Sequence, residues 1–462
     1  MKTWDYDSAY FIGIGGIGMS ALARWFKTNG YFVAGYDRVS TALTRQLEEE
    51  GIDVHYEDDV QRIPGQVTKD RCLLVITPAI PRSHNELNYL QEKGFVPYKR
   101  SQILGMISRD FNTVAVAGTH GKTTTSSMIA HILKYSGLDI TAFLGGIATN
   151  YDSNFIANNG PGVIAVVEAD EFDRSFLTLY PDIAVVTSTD VDHLDIYGDA
   201  NSLKGSFKTF IGQIKKAGKL FVAERIASEL IENNNTRPTK TYGIDRGQLF
   251  ASNITIEDGF FVFDYCDEQY NIEKISLGVP GFHNVENAVA AIAVSLELGV
   301  TPGQAKAGME SYRGVKRRFE YILRSDKLVF VDDYAHHPVE IESFLRSLKA
   351  LYPGKKITAI FQPHLYTRTR DFVDGFASSL ALADELILLD IYPAREEPIE
   401  GVTSSLIYDK VTVNAKILIQ KEELLDLVAS KEFDVVATIG AGDIDQLVQP
   451  MKEQLERRYH VG

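Results

Sequence analysis

Two short stretches constrain this chain most, because each reads as a strand that turns through glycines straight into a helix. In "FIGIGGIGMSALA" (Phe11 to Ala23), Gly13, Gly15 and Gly18 hold the GxGxxG spacing between a strand at Tyr10 to Ile14 and a helix at Met19 to Asn29. In "AVAGTHGKTTTSSMIAHIL" (Ala115 to Leu133), a strand at Thr113 to Ala117 turns through Gly118 and Gly121 into a helix that opens on Lys122 and three threonines. Repeated strand-to-helix units return to their sheet as parallel crossovers, so the chain is predicted to be α/β. Glycines in such turns let backbone N–H groups reach an anion at the helix start, where the dipole favours negative charge.

The two turns offer an anion different things. After the first, a strand at Tyr31 to Gly35 delivers Asp37, whose carboxylate can accept hydrogen bonds from ribose hydroxyls, so this unit reads as a nucleotide site. The second has Val116 where GxxxxGK[ST] places its first glycine and is a shortened phosphate loop. Its working parts remain: backbone N–H groups, Lys122 for the β- and γ-phosphates and the Thr123 hydroxyl for Mg²⁺, with Thr124 and Thr125 starting the helix. ATP is expected there. A nicotinamide-dependent oxidoreductase or a simple nucleotide-binding module would use the first turn and leave the second without a purpose. An enzyme that uses ATP on a nucleotide-bearing substrate employs both.

At 462 residues the chain is expected to form about three domains. A helix over "YKRSQILGMISRD" (Tyr98 to Asp110) sets a boundary near Met106. After "GVKRRFE" (Gly314 to Glu320) a new alternation sets another near Lys316: strand Leu328 to Val331, helix Val339 to Leu351, strand Ile357 to Phe361, helix Phe372 to Leu382, strand Leu386 to Asp390. The predicted domains are 1–105, 106–315 and 316–462. The middle one holds strands at Val163 to Val167 and Ile183 to Val186 and a helix at Asn284 to Gly299. Alternating residues from Asn253 to Ile275 predict antiparallel strands in a small flanking sheet.

A formal charge of -15 argues against a nucleic-acid partner. Cys72 and Cys266 lack the spacing of a disulfide framework or zinc site. The acidic start "MKTWDYDSAYF" is unlike a signal peptide, and no run reaches the roughly 18 apolar residues of a membrane helix, so a cytoplasmic protein without membrane contact is expected.

Strand ends should carry the chemistry. Glu168 of "EADEFDRSF" and His193 of "TSTDVDHLD" arrive at the edge that holds Thr123, and the three are candidates to surround Mg²⁺. Asp170, Glu171, Asp173, Asp192 and Asp195 are expected as caps or solvated loop residues. In the third domain "DDYAHHPVE" and "QPHLYTRTRDF" place His336, His337, His364, Arg368 and Arg370 at strand ends, where arginines suit carboxylate and phosphate oxygens.

Taken in order, "GTHGKTTT", "EADEFDRSF", "DHLDIYG", "PGFHNVENAVAAIA", "GVKRRFE", "DDYAHHP" and "FQPHLYTRTR" resemble the motifs of the Mur ligases, the ATP-dependent amide-forming enzymes of bacterial peptidoglycan precursor synthesis. With "FIGIGGIGMSALA" at the start and "GAGDI" (Gly440 to Ile444) near the end, the set is most similar to the branch that joins L-alanine to UDP-N-acetylmuramate. A second branch adds a preformed tripeptide to the same sugar. The resemblance implies an N-terminal Rossmann-like UDP-sugar domain, a central ATPase and a C-terminal Rossmann-like domain for amino acid and nucleotide. It also implies an acyl-phosphate intermediate, Mg²⁺ or Mn²⁺ as cofactor, ATP as co-substrate, and a monomer or weak homodimer.

Carried over by position, the resemblance puts Lys122 on the transferring phosphoryl group and His120 facing the muramyl carboxylate, with Thr123, Glu168 and His193 on the metal. Gly118, Thr119, Gly121, Thr124, His283, Asn284, Asn287, Arg318 and Asp333 would complete the ATP site. Gly13, Gly15, Gly16, Gly18, Ser20, Asp37 and Arg100 would line the UDP-sugar site, and His336, His364, Tyr366 and Arg368 would receive the amino acid. Two positions depart from the family pattern. Where several members have a carbamylated lysine, this chain has Phe207, with Lys204 and Lys208 off register. "FQPHRY" reads "FQPHLY", so Leu365 replaces an arginine and L-alanine recognition is left to Arg368.

Overall fold

The computed structural model describes residues 4–157, 164–190, 197, 199–231, 237–394 and 396–461. The first sheet holds β1 (Ser8–Ile12), β2 (Phe32–Tyr36), β3 (Asp53–His55), β4 (Cys72–Ile76) and β5 (Pro97–Lys99), all parallel, in the order β3-β2-β1-β4-β5. The order reverses beside β1, so the turn that follows it opens at a switch point. Helix α1 (Ile17–Thr28) leaves from there.

The second sheet has ten strands: β6 (Asn112–Ala117), β7 (Ile140–Ala148), β8 (Ser153–Ala157), β9 (Ile164–Ala169), β10 (Ile183–Val186), β11 (Lys219–Ala223), β12 (Thr239–Ile244), β13 (Leu249–Glu257), β14 (Phe260–Cys266) and β15 (Asn271–Leu277). Their order is β15-β14-β13-β12-β11-β10-β6-β9-β7-β8. β6 runs parallel between β9 and β10. The third sheet, β16 (Glu320–Arg324), β17 (Val329–Asp333), β18 (Ile357–Phe361), β19 (Glu385–Leu388), β20 (Ala415–Leu418) and β21 (Val435–Ile439), has the order β16-β17-β21-β18-β19-β20. By compactness the chain divides into two units, Met1–Asn253 with Phe263–Ile275 and Glu286–Arg313, and Ile254–Val262 with Ser276–Val285 and Gly314–Gly462.

Two sequence expectations change in detail. The strands expected in a separate flanking sheet join the edge of the ten-stranded sheet through β12, because β12 leaves its free edge to β13. The helix expected from Tyr98 starts at Arg100 (α2, Arg100–Asp110), since Pro97–Lys99 pair with β4 as an edge strand, where a proline is tolerated. The helix expected over Phe372 to Leu382 lies at Val373–Leu380, and a short helix not expected, Tyr366–Asp371, precedes it across Phe372, whose φ of -119° and ψ of 21° break the regular turn.

In α1 every residue from Met19 to Phe26 is buried, so the helix has no wet stripe. An amphipathic helix lies on one surface; one buried all round is covered on two. One cover is the first sheet, where Phe26 meets Phe11 at 5.9 Å between ring centroids. The other is the β7–β8 hairpin, where Trp25 meets Phe143 at 6.4 Å. Helix α3 (Lys122–Tyr135) is buried continuously from Thr123 to Leu133, which sets the phosphate loop on a rigid base.

On α3, His131 bonds Tyr151 Oη at 2.8 Å and Ser311 Oγ at 2.9 Å, and burial pushes its pKa down to about 4. The unfolded chain therefore binds a proton near pH 6.5 that the native state takes only near pH 4, so this residue's contribution is present above about pH 6.5 and lost as pH falls toward 4. The variant His131→Gln should show a smaller drop in melting temperature between pH 6.5 and pH 4.5 than the parent, measured by calorimetry at the two pH values.

Candidate active site

Because β6 lies between β9 and β10, the turn after it opens between their C-terminal ends. Gly118 has φ +143°, and a Cβ there would overlap Thr187 Oγ1. Gly121, at φ +78°, is the left-handed N-cap of α3, and a Cβ there would stand 2.8 Å from Asn287 Oδ1. Two hydroxyls just past β10 frame the turn. Thr187 donates to the His120 carbonyl, while Ser188 Oγ accepts the His120 N–H at 2.7 Å and lies 2.9 Å from Thr119 Oγ1. Thr187 and Ser188 escaped the sequence reading because their only signal is the neighbourhood of β10 and β6, which the strand order creates.

Lys122 Nζ donates to the Gly118 carbonyl at 2.7 Å and pairs with Glu171 Oε2 at 2.7 Å. Glu171, expected as a cap or a solvated loop residue, stands at the N-cap position of the short helical turn after β9 and is fully buried, because that turn carries it under the lysine. Burial disfavours the Lys122 charge, but the Glu171, Asp170 and Glu168 carboxylates outweigh it and hold the ammonium above its ordinary range. Burial pushes the Glu171 carboxyl up, and Lys122 pulls it back.

Glu168 pairs in register with Val116, so its carboxylate stands beside the loop, where Oε2 accepts the Gly145 N–H at 2.9 Å. The expected strand ended at Val167; β9 continues to Ala169 and carries Glu168 within it. Thr123 and Thr124 are buried in the first turn of α3. His120 Nε2 lies 3.7 Å from Asp190 Oδ2. His193, Asp192 and Asp195 lie outside the described residues. Thr123 and Glu168 supply hard oxygen donors of the kind that Mg²⁺ takes, beside an anionic cluster, so the residues fit the ion. Phe207 is fully buried against Phe176 at 5.2 Å, and Lys204 pairs with Glu229 at 2.8 Å, so that helix turns a ring, not a lysine, to the core.

At the first turn, Gly16 caps α1 and the Gly15 N–H donates to Asp37 Oδ2 at 2.8 Å, which ties the acidic residue to the turn. Gly13 begins that turn with its N–H on the Tyr36 carbonyl at 2.8 Å. Arg100, first residue of α2, lies across Gly18, where a Cβ would fall 2.6 Å from its Cδ, and its guanidinium stands 3.7 Å from Asp170 Oδ2. Ser20 faces inward, donating to the Gly16 and Ile17 carbonyls at 3.0 Å each.

The second unit gathers the remaining residues. Both Asp333 oxygens accept backbone N–H groups, from Phe319 and Ala335 at 2.7 Å each, and burial pushes its pKa up to about 7. Arg318 lies 5.0 Å over the Tyr334 ring and 3.8 Å from Glu340. His283 Nδ1 bonds Ser343 Oγ at 2.8 Å, and Asn284 Nδ2 donates to the Pro280 carbonyl at 2.7 Å. His336 and His364 face each other at 6.0 Å, and His364 stacks on Tyr392 at 5.8 Å. Tyr366 begins the short helix that buries Arg368, while His337 caps the helix Pro338–Leu351 and Arg370 pairs with Asp371 at the surface. Between them Leu365 holds φ +71° and ψ 137°, a backbone state rarely open to a side chain.

Gly118→Ala should lower kcat/KM by about 100-fold or more, since it strains the backbone and displaces Thr187. Gly30→Ala, at φ +81° but in open space, should cost only about 1 kcal/mol of stability and leave kcat/KM near the parent value, as assays with melting curves will show. Leu365→Gly should raise stability by about 1 kcal/mol in urea unfolding.

Comparison with known proteins agrees along the whole chain. Residues 8–112 match the Mur ligase family catalytic domain, 116–295 the Mur ligase middle domain and 317–442 the Mur ligase glutamate ligase domain. A UDP-N-acetylmuramate--L-alanine ligase of Cytophaga hutchinsonii is 49% identical over 99% of both chains, and one of Parabacteroides distasonis is 50% identical over 97% of both. The crystal structure of UDP-N-acetylmuramate-alanine ligase MurC from Thermotoga maritima aligns with a TM-score of 0.79 at 28% identity, covering 98% of this chain and 99% of that one. A murein peptide ligase from Psychrobacter arcticus shares the fold, with a TM-score of 0.68 at 23% identity and 97% and 98% coverage. With three consecutive domain models matched and relatives at half identity over almost every residue, the chain belongs to the Mur ligase family.

Proposed function

We propose that this chain joins L-alanine to the carboxylate of UDP-N-acetylmuramate, converting ATP to ADP and phosphate, in peptidoglycan precursor synthesis. The observation that carries the reading is the 49% identity, over 99% of both chains, to a UDP-N-acetylmuramate--L-alanine ligase. The geometry agrees: a phosphate loop with its lysine and a diphosphate-type turn stand on neighbouring sheets of one compact unit.

A carboxylate oxygen of the sugar attacks the γ-phosphorus, the bond to ADP breaks, and an acyl phosphate forms. The amine of L-alanine adds to the activated carbonyl, and the tetrahedral intermediate expels phosphate as the nitrogen loses its proton. In this scheme Lys122 holds the γ-phosphoryl oxygens, its ammonium positioned by the Gly118 and Thr119 carbonyls and by the Glu171 carboxylate. The loop amides of Gly118, Gly121, Thr123 and Thr124 cradle the phosphates, the Thr119 N–H ties the loop to the Ser188 carbonyl at 3.2 Å, and His120 meets the sugar carboxylate. Thr123, Glu168 and His193 would hold Mg²⁺ or Mn²⁺, which when bound neutralises phosphate charge. Gly13, Gly15, Gly16, Gly18, Asp37 and Arg100 take the UDP group.

In the other unit, Arg318, His283 and Asn284 serve the nucleotide, with Asp333 holding the Arg318 loop, and His336, His364, Tyr366 and Arg368 serve the amino acid. ATP and a UDP-sugar place the reaction in the cytoplasm, and no helix among the described residues is long and apolar enough to cross a membrane.

Phosphate release from ATP and Mg²⁺ should require UDP-N-acetylmuramate and be fastest, per Michaelis constant, with L-alanine among L-alanine, glycine, L-serine and the L-Ala-γ-D-Glu-meso-diaminopimelate tripeptide. Turnover with the tripeptide alone would transfer the chain to the tripeptide-adding branch. Lys122→Ala should lower kcat by about 1,000-fold or more while the affinity for the UDP-sugar stays near the parent value.

A further inference from the structure

Asn154, on β8, has no solvent exposure, yet every polar atom of its side chain is bonded to α1. Its Nδ2 donates to the Ile17 carbonyl and to Ser20 Oγ at 2.9 Å, and its Oδ1 accepts from Arg24 Nη1. Arg24 is only 5% exposed, and Glu50 fixes its other side, with Oε2 accepting from Nε at 2.8 Å and Oε1 from Nη2 at 2.8 Å. Ile17 is the first residue of α1, directly after the glycine that caps the diphosphate-type turn. One amide from the central sheet therefore grips the end of the helix where the turn would hold its anion.

We propose that Asn154 is a positioning residue, fixing the diphosphate-type turn relative to the phosphate loop so that the sugar carboxylate meets the γ-phosphorus in line. The proposal rests on the ligase reading above. β8 is paired to β7, β7 lies beside β9, and β9 lies beside β6, which ends in the loop. Backbone pairing runs unbroken through these strands to the loop, so the geometry between the two turns is set where α1 packs on β7 and β8. The apolar part of that contact, Trp25 on Phe143, is non-directional and tolerates sliding. Three hydrogen bonds to one buried amide do not tolerate it, because a shift strands polar atoms away from water. Phosphoryl transfer needs its reacting atoms about 3–3.5 Å apart, and a misplacement of about 1 Å can cost about 100-fold in rate. Neither ligand by itself senses the relative placement, so binding and turnover separate.

The test uses the full chain with Asn154→Ala and Asn154→Asp. The second keeps an acceptor for Arg24 but cannot donate to the Ile17 carbonyl, and the charge it adds faces Arg24, so it keeps the test open if the first does not fold. Calorimetry gives the separate affinities for UDP-N-acetylmuramate and for ATP, coupled phosphate release gives kcat with all three substrates, and melting curves give the folded fraction. Expected in both variants is a fall of about 10- to 100-fold in kcat per folded molecule, with each separate affinity within about threefold of the parent. A merely structural residue would instead lower melting temperature and affinities together and spare kcat per folded molecule. The proposal is overturned by a kcat within about twofold of the parent, or by affinity losses as large as the loss in kcat. A parent chain that does not ligate L-alanine overturns the ligase reading before any variant is compared; unaffected variants of an active parent overturn only the proposal.

Discussion

Helix α1 is covered on both sides, and much of the first unit follows from that. Its residues Met19 to Phe26 are excluded from water by the first sheet and by the β7–β8 hairpin at once, so neither surface can shed the helix without exposing aromatic and aliphatic groups. A full side chain of that kind contributes about 1.5–3 kcal/mol when buried. The helix also begins at the GxGxxG turn, so the hydrophobic contact that joins two sheets carries that turn and the positive end of the helix dipole with it. Packing and site construction are one event here: the residues that bury the helix decide where its dipole points.

The phosphate loop obeys a similar logic with polar groups. Its glycines hold left-handed angles that a side chain would strain, and neighbouring side chains also fill the space a Cβ would need: Thr187 at Gly118 and Asn287 at Gly121. The loop's own carbonyls and N–H groups are then satisfied by Lys122, Thr187 and Ser188. A buried lysine would ordinarily lose its proton, but the carboxylates of Glu171, Asp170 and Glu168 reverse the balance and keep it cationic. That arrangement suits a group that must meet phosphate oxygens as a charge. In the second unit the same economy of polar atoms appears at Asp333, whose two oxygens hold the backbone on either side of Arg318 and Tyr334.

Glycine spacing, the lysine that opens α3 and the apolar runs before each turn were legible in the linear chain, because they are local. Strand and helix boundaries fell within a few residues for the same reason: β18 spans Ile357–Phe361 as its sequence predicts, and β1 lies at Ser8–Ile12 against an expected Tyr10 to Ile14. The helix expected over Phe372 to Leu382 lies at Val373–Leu380, while the short helix before it was not legible, because the break at Phe372 depends on backbone angles that side-chain periodicity does not report.

The sequence by itself determined the α/β class and the two glycine-rich strand-to-helix turns, since a turn's glycines and the first helical residues interact within a few positions of one another. Tertiary structure alone decided which residues complete those turns. Glu171 entered a buried pair with Lys122, Thr187 and Ser188 became part of the loop, and Asn154 reached α1 across more than a hundred residues. Those contacts follow from strand order and from the burial of a helix between two layers. Free energy in such contacts depends on distance in space, which residues far apart along the chain acquire only when the sheets are assembled.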